Sequence, residues 1–245
     1  MYSVRNTAEH DLRACLQKVK EYGYDGVEIA GFCGKTPQEY KGLLEEFGLT
    51  PISAHVSYQE MVNDINKVIA DYKAVGCKYI AVPWLGEEDR LGGENGTEVL
   101  NNINRFAQIF AQEGITLLYH NHYFEFWDYN GEYVLDAMYR LAPNLQAQLD
   151  SCWIAVAGES PLEYIKKYKN RNPVLHLKDY FGTYGEKDFQ FRPCGYGLQD
   201  MGKIITAAAE NGVKWLVVEQ DDPSMDKSEL ECAKLSIDYI RGKLL

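Results

Sequence analysis

The periodicity of the apolar residues limits this chain more than any other feature. Leu12, Leu16, Val19 and Tyr22 fall three or four residues apart, as do Met61, Ile65, Val68 and Tyr72. Val99, Ile103, Phe106 and Phe110 repeat the spacing, and Leu230, Ala233, Ile237 and Ile240 close it. Such stripes predict amphipathic helices lying with one face on a sheet. Between them run short apolar segments that read as strands: Tyr2–Arg5, Gly26–Ala30, Pro51–Val56, Tyr79–Pro83, Ile115–His120, Gln146–Asp150, Val174–Lys178 and Trp215–Glu219. Gly23, Gly48, Gly76, Gly114 and Gly212 stand where a left-handed cap would end a helix, and Pro143 and Pro173 punctuate the approach to the sixth and seventh strands. Strands alternating with helices imply a parallel sheet covered by helices. An open doubly wound sheet is the alternative, but no G-x-G-x-x-G follows the first strand. The expectation is therefore an α/β chain forming a single (β/α)8 TIM barrel, with residues 1–245 as one domain.

Charge narrows the partners. The chain has 36 acidic residues against 25 basic, a net charge of −11. Its densest basic run, Lys166-Lys167-Tyr168-Lys169-Asn170-Arg171, fits the end of a helix, where cations suit the dipole. No nucleic-acid or anionic-membrane partner is expected of such a balance. The six cysteines form no C-x-x-C pair, and neither a signal peptide nor a long apolar run is visible. Reduced thiols in a cytoplasmic enzyme are the expectation.

In a barrel of this kind, reacting groups come from the C-terminal ends of the strands. Those ends read Arg5, Glu28, His55, Trp84, His120 and His122, then Asp150, His176 with Lys178, and Glu219 with Gln220. Any one of these is as well explained as a hydrogen-bonded rim residue. Four histidines and three carboxylates converging by topology are not. Imidazole and carboxylate without thiolate suit one divalent ion of the Mn, Co, Zn, Fe or Mg type. Asp150, His176 and Glu219 come from three successive strands, and His120 on the strand before completes four neighbours.

The runs Tyr119-His120-Asn121-His122, Phe124-Glu125-Phe126, Leu149-Asp150 with Trp153, His176-Leu177-Lys178-Asp179 and Val218-Glu219-Gln220-Asp221 resemble the xylose isomerase-like TIM-barrel superfamily, in its sugar-phosphate isomerase/epimerase branch. The opening Tyr2-Ser3-Val4-Arg5 is similar to that branch's first strand. The resemblance covers essentially the whole chain and implies a metal held by Glu, Asp, His and Glu from strands five to eight. Asp150, His176 and Glu219 match the last three. His120 stands where ketose epimerases have a glutamate, and Trp153 where they have a histidine. Glu125 falls near a substrate-facing glutamate of the epimerases, so it is assigned to substrate; its placement on the metal is the alternative.

These departures leave Glu219 as the carboxylate base, with His122, Lys178 or a water on the ion as partner acid. Lys178 is read as a donor to a substrate oxygen in preference to a Schiff-base nucleophile. Glu28, His55, Trp84, Trp153 and Arg192 are expected to bind substrate, with Gly182–Asp200 as a lid-like loop carrying Arg192. The resemblance implies a metal-dependent isomerase or epimerase of a small sugar or keto-sugar, working through an enediolate. A lyase dehydrating a 3-keto-sugar or inosose with the same site is the alternative. A non-catalytic sugar-binding barrel and an endonuclease IV-like repair enzyme are weaker fits. A homo-oligomer is compatible with the superfamily.

Overall fold

The computed structural model describes residues 1–244. Five strands pair in parallel and in chain order: β1 (Gly26–Ile29), β2 (Thr50–His55), β3 (Tyr79–Val82), β4 (Thr116–His120) and β5 (Gln146–Gln148). Two more, β6 (Val174–Leu177) and β7 (Trp215–Val218), pair in parallel with each other. A single parallel bridge from Asp150 to His176 links the end of β5 to β6. These are seven of the expected strands, with ends shifted by one or two residues.

The expected stripes are helices at Leu12–Glu21, Tyr58–Val75, Gly96–Gln112 and Glu229–Leu244. Their starts are specified locally. Ser57 with Glu60, and Thr36 with Glu39, each satisfy two orphan amides as a capping box. Gly48 and Gly76 end their helices in the left-handed region, at φ +61° and +102°, as the glycine punctuation predicts.

The first expected strand is not one. Tyr2–Val4 is a 3-10 turn that runs into a helix at Arg5–His10. The Val4 amide donates to the Met1 carbonyl, and the Glu229 carboxylate accepts from the Thr7 amide (3.0 Å) and the Asn6 side chain (2.7 Å). A carboxylate over the exposed amides of a helix start favours that start. Alternation over four residues was too short to decide between turn and strand. The turn is tied to the strands on both sides: the Met1 amine donates to the Glu28 carbonyl (2.6 Å), and the Gln220 amide donates to Ser3 Oγ (3.0 Å). Among the described residues no strand pairs β7 with β1. A cavity of about 70 Å³ lies there, lined in part by Val4, Val27, Leu216 and Val218.

The segment expected to be a lid-like loop after the seventh expected strand is partly a hairpin, with Asp179–Phe181 antiparallel to Gln190–Arg192. Asp179 also anchors the chain beyond the hairpin, accepting from the amides of Gly195, Gly197 and Gln199 at 3.0–3.2 Å. A side chain at position 197 would meet Asp179 Oδ1 at 2.3 Å, so only glycine fits. Among the described residues no helix is long and apolar enough to cross a membrane.

Candidate active site

Side chains two apart on a strand share a face. Leu118 and Val174 are buried in one small apolar cluster with Ile52 and Ala81, so His120 and His176, two residues further on, stand as a polar layer above an apolar floor. Asp150 joins them by a specific device. Its Oδ1 caps the helix Ser151–Val156, accepting from the Trp153 amide at 2.9 Å, and its own amide donates to Asn121 Oδ1 at 3.0 Å. Its Oδ2 is left buried with no hydrogen-bond partner. Glu219, just past β7, brings the fourth group.

One ligand atom from each of His120, Asp150, His176 and Glu219 lies within 4.8 Å of the others. His120 Nε2 is 4.0 Å from both Asp150 Oδ2 and Glu219 Oε2, and His176 Nδ1 is 3.1 Å from Glu219 Oε2. Metal–ligand bonds of about 2.0–2.2 Å put neighbouring ligands roughly 3–4 Å apart, so the spacing suits a divalent ion. The orphaned Asp150 Oδ2 fits the same reading, since a buried carboxylate oxygen without a partner is costly. Four of the expected ligands are thus brought together, His120 among them.

The electrostatics are those of a desolvated, tightly packed set. Burial pushes the Asp150 carboxyl up to about 7 against the pull of Lys178. Burial also opposes ionisation of His176, but Glu28 and Glu219 outweigh it and raise the imidazole to about 10. Glu219 is held well below its ordinary value because Lys178 and His176 overcome its burial. His120 is pushed well down by burial, and His122 to about 3 by burial and Lys178.

A cavity of about 430 Å³ opens above this layer, lined by groups that include His55, Trp84, His120, His122, Lys178 and Glu219. Lys178 is buried, its Nζ 3.2 Å from Glu219 Oε2 and 2.5 Å from Asp221 Oδ1, with the Trp153 and Phe191 rings 5.0 and 4.9 Å away. His122 stacks on Phe124 at 5.2 Å, and its Nδ1 is buried without a partner. Trp153 stands behind Lys178 and His122, packed against Tyr123, Tyr184 and Phe191. Trp84 lies at the mouth, about half exposed.

Four expected substrate contacts are not found at the cavity surface, and Trp153, buried behind Lys178 and His122, is one of them. Glu125 is buried, accepting from Tyr119 Oη (2.5 Å) and the His122 amide (2.6 Å), so both oxygens are taken inside the protein. Among the described residues it does not stand in the group of His120, Asp150, His176 and Glu219. Arg192 sits on the hairpin with its guanidinium 5.5 Å from the Phe181 ring, outside the cavity lining. Glu28 lies below the ligand layer with both oxygens occupied by other side chains. Asp221 was missed: it lines the cavity and pairs with Lys178, and its position two residues after Glu219 was the available signal.

Known proteins bear on this geometry. A family model described as xylose isomerase-like TIM barrel matches residues 16–242. An inosose dehydratase of Clostridium botulinum is 26% identical over 272 residues, covering 96% of this chain and 90% of that protein. A sugar phosphate isomerase/epimerase from Parabacteroides distasonis superposes with a TM-score of 0.81 at 24% identity, over 98% of this chain and 95% of that one. The IolI protein, solved with a bound zinc atom, superposes with a TM-score of 0.73 at 16% identity, over 95% and 92%.

Proposed function

Because the chain belongs to the xylose isomerase-like TIM-barrel family, we propose that it is a divalent-metal-dependent lyase that removes water from a polyhydroxylated ketone of the keto-inositol or keto-sugar class. The expectation of an isomerase or epimerase yields to its alternative. A relative spanning nearly the whole chain is an inosose dehydratase, and that name supports elimination. One observation in the site carries the reading. An imidazole and an ammonium line the same cavity: His122, which burial and Lys178 push toward the neutral form, and Lys178, whose Nζ lies 3.2 Å from Glu219 and 2.5 Å from Asp221. Elimination of water needs a base for the proton next to the carbonyl and an acid for the departing hydroxyl.

His120, Asp150, His176 and Glu219 are the proposed ligands. An ion held there supplies Lewis-acid polarisation of the ketone. His122 takes the α-proton, and Lys178 Nζ gives a proton to the β-hydroxyl as its C–O bond breaks. The substrate thereby loses one water and gains one carbon–carbon double bond. The proton on His122 returns to Lys178 through solvent. Asp221 and Glu219 hold Lys178 charged and aimed, and Trp84 and His55 offer an apolar face and a polar edge to the ring. Glu60, Glu219 and Asp221 line the cavity with Lys178 as the one basic lysine or arginine among them, and two of the three already pair with it. An uncharged substrate suits that lining better than a phosphate ester.

The test is to incubate Mn²⁺-loaded protein with an inosose and follow product mass. Loss of one water supports the lyase reading. A product of unchanged mass overturns it in favour of isomerisation.

A further inference from the structure

Glu28 is a buried carboxylate beside the site, and nothing in the proposed chemistry uses it. Its Oε2 accepts from Ser53 Oγ and from Gln148 Nε2, both at 2.6 Å. Its Oε1 lies 3.0 Å from His55 Nε2 and 2.9 Å from His176 Nε2. His55 Nε2 also meets Gln148 Oε1 at 2.8 Å, which assigns the proton to that nitrogen. The socket therefore presents a hydroxyl, an amide NH₂ and ring N–H groups from β2, β5 and β6, all of them donors. Only a group that accepts at both ends and donates at neither fits without conflict, and an ionised carboxylate is that group.

The consequence falls on His176. A neutral imidazole carries one proton, and a nitrogen that binds a metal must be free of it. His176 Nδ1 faces Glu219 and the ligand cluster, so with an ion bound there the one remaining ring proton belongs on Nε2. That nitrogen is buried and has no aligned hydrogen-bond partner; Glu28 Oε1 is close, but off the N–H axis. Among the described residues Glu28 is the one carboxylate within 4.0 Å of Nε2. Ring stacking at 5.3 Å and 6° against His55, itself held by Gln148 and Glu28, restrains the ring from the side.

We propose that Glu28 is a positioning residue for the metal site. Through the Ser53–Gln148–His55 network, its carboxylate fixes the His176 ring with Nε2 toward the barrel interior and Nδ1 toward the ion. It does not touch substrate. The inference rests on the proposed ligand set, and outer partners of metal-bound histidines typically change affinity 10–100-fold.

The test compares wild type, Glu28→Gln and Glu28→Asp by calorimetric titration with Mn²⁺, by ¹⁵N NMR of the histidine ring nitrogens in metal-free protein, and by thermal melting. Glutamine is nearly isosteric but brings an NH₂ into an all-donor socket. Glu28→Gln should bind Mn²⁺ 10–100-fold more weakly while still folded, and its His176 ring signals should shift away from the Nε2-protonated form. Glu28→Asp, still an acceptor at both oxygens, should recover part of the affinity. Folded Glu28→Gln protein with wild-type affinity and unchanged His176 signals would overturn the proposal, even if its melting temperature fell. If wild type itself binds no Mn²⁺, the proposed ligand set fails instead. The His176 ring signals then decide the role of Glu28: unchanged in Glu28→Gln they reject it, and shifted they uphold it.

Discussion

Replacing Lys178 with methionine should be among the most damaging single changes to this fold, and its size follows from burial. The lysine side chain is 2% exposed, Glu219 is 7% and Asp221 is 23%. A solvent-exposed ion pair of the same geometry contributes about 0–1 kcal/mol. Removing one partner of a buried pair costs about 3–5 kcal/mol, because the other charge is left without compensation. Methionine keeps most of the volume, so the loss is electrostatic and not a cavity effect. The pH dependence separates the two. Glu219 is held below its ordinary value of 4.5, so its contribution is full above that value and is lost as pH falls through the folded one. Lys178 is raised above 10.5, so its contribution is full below that value and is lost only as pH rises through the folded one. The difference between wild type and K178M, measured by urea denaturation, should be widest between about pH 4.5 and 10.5 and shrink in acid as the carboxylates take up protons. Turnover should fall by about 10²–10⁴ with the loss of the acid. A cost under about 1 kcal/mol, or one that does not change with pH, would refute this reasoning.

Two other outcomes are expected. Glu125 accepts from two donors, so Glu125→Gln leaves one of them facing an NH₂ and should cost about 1–3 kcal/mol in denaturant. Burial pushes Glu125 up to about 7 from 4.5, so its contribution is full below 4.5 and declines as pH rises through 7; the variant should lose that slope in a stability–pH series. With the cavity cation already paired, an inosose phosphate should compete at least about tenfold more weakly than inosose itself in a turnover assay, and equal or stronger competition would contradict the uncharged-substrate reading.

The strands that bear the site were legible because each combines an apolar run with a helix on either side. Leu117–His120 and Val174–Leu177 needed no tertiary information to be found, only their order around the ring to be understood. The N-terminal Tyr2–Arg5 failed because its outcome depends on Glu229, more than two hundred residues away, which fixes Asn6 and Thr7 as the start of a helix. The grouping of the proposed ligands was readable for a different reason. Once the strands are in order, Asp150, His176 and Glu219 must neighbour one another, and His120 follows. Burial depth was not readable. Glu28, Glu125 and Arg192 are polar residues at or near strand ends like the rest, and nothing local says that Tyr119 and the His122 amide will occupy Glu125, or that Arg192 will turn to Phe181. The hairpin at Asp179–Arg192 was hidden by its glycines and short strands, and with it the aromatic wall that Phe191 builds behind Lys178.

The account turns on where a metal ion binds. Crystals of the protein soaked in Mn²⁺ should show one anomalous peak per chain, within about 2.0–2.4 Å of His120, Asp150, His176 and Glu219. A peak coordinated by Glu125 in place of His120, or a saturating soak that leaves those four side chains without an ion, would contradict it.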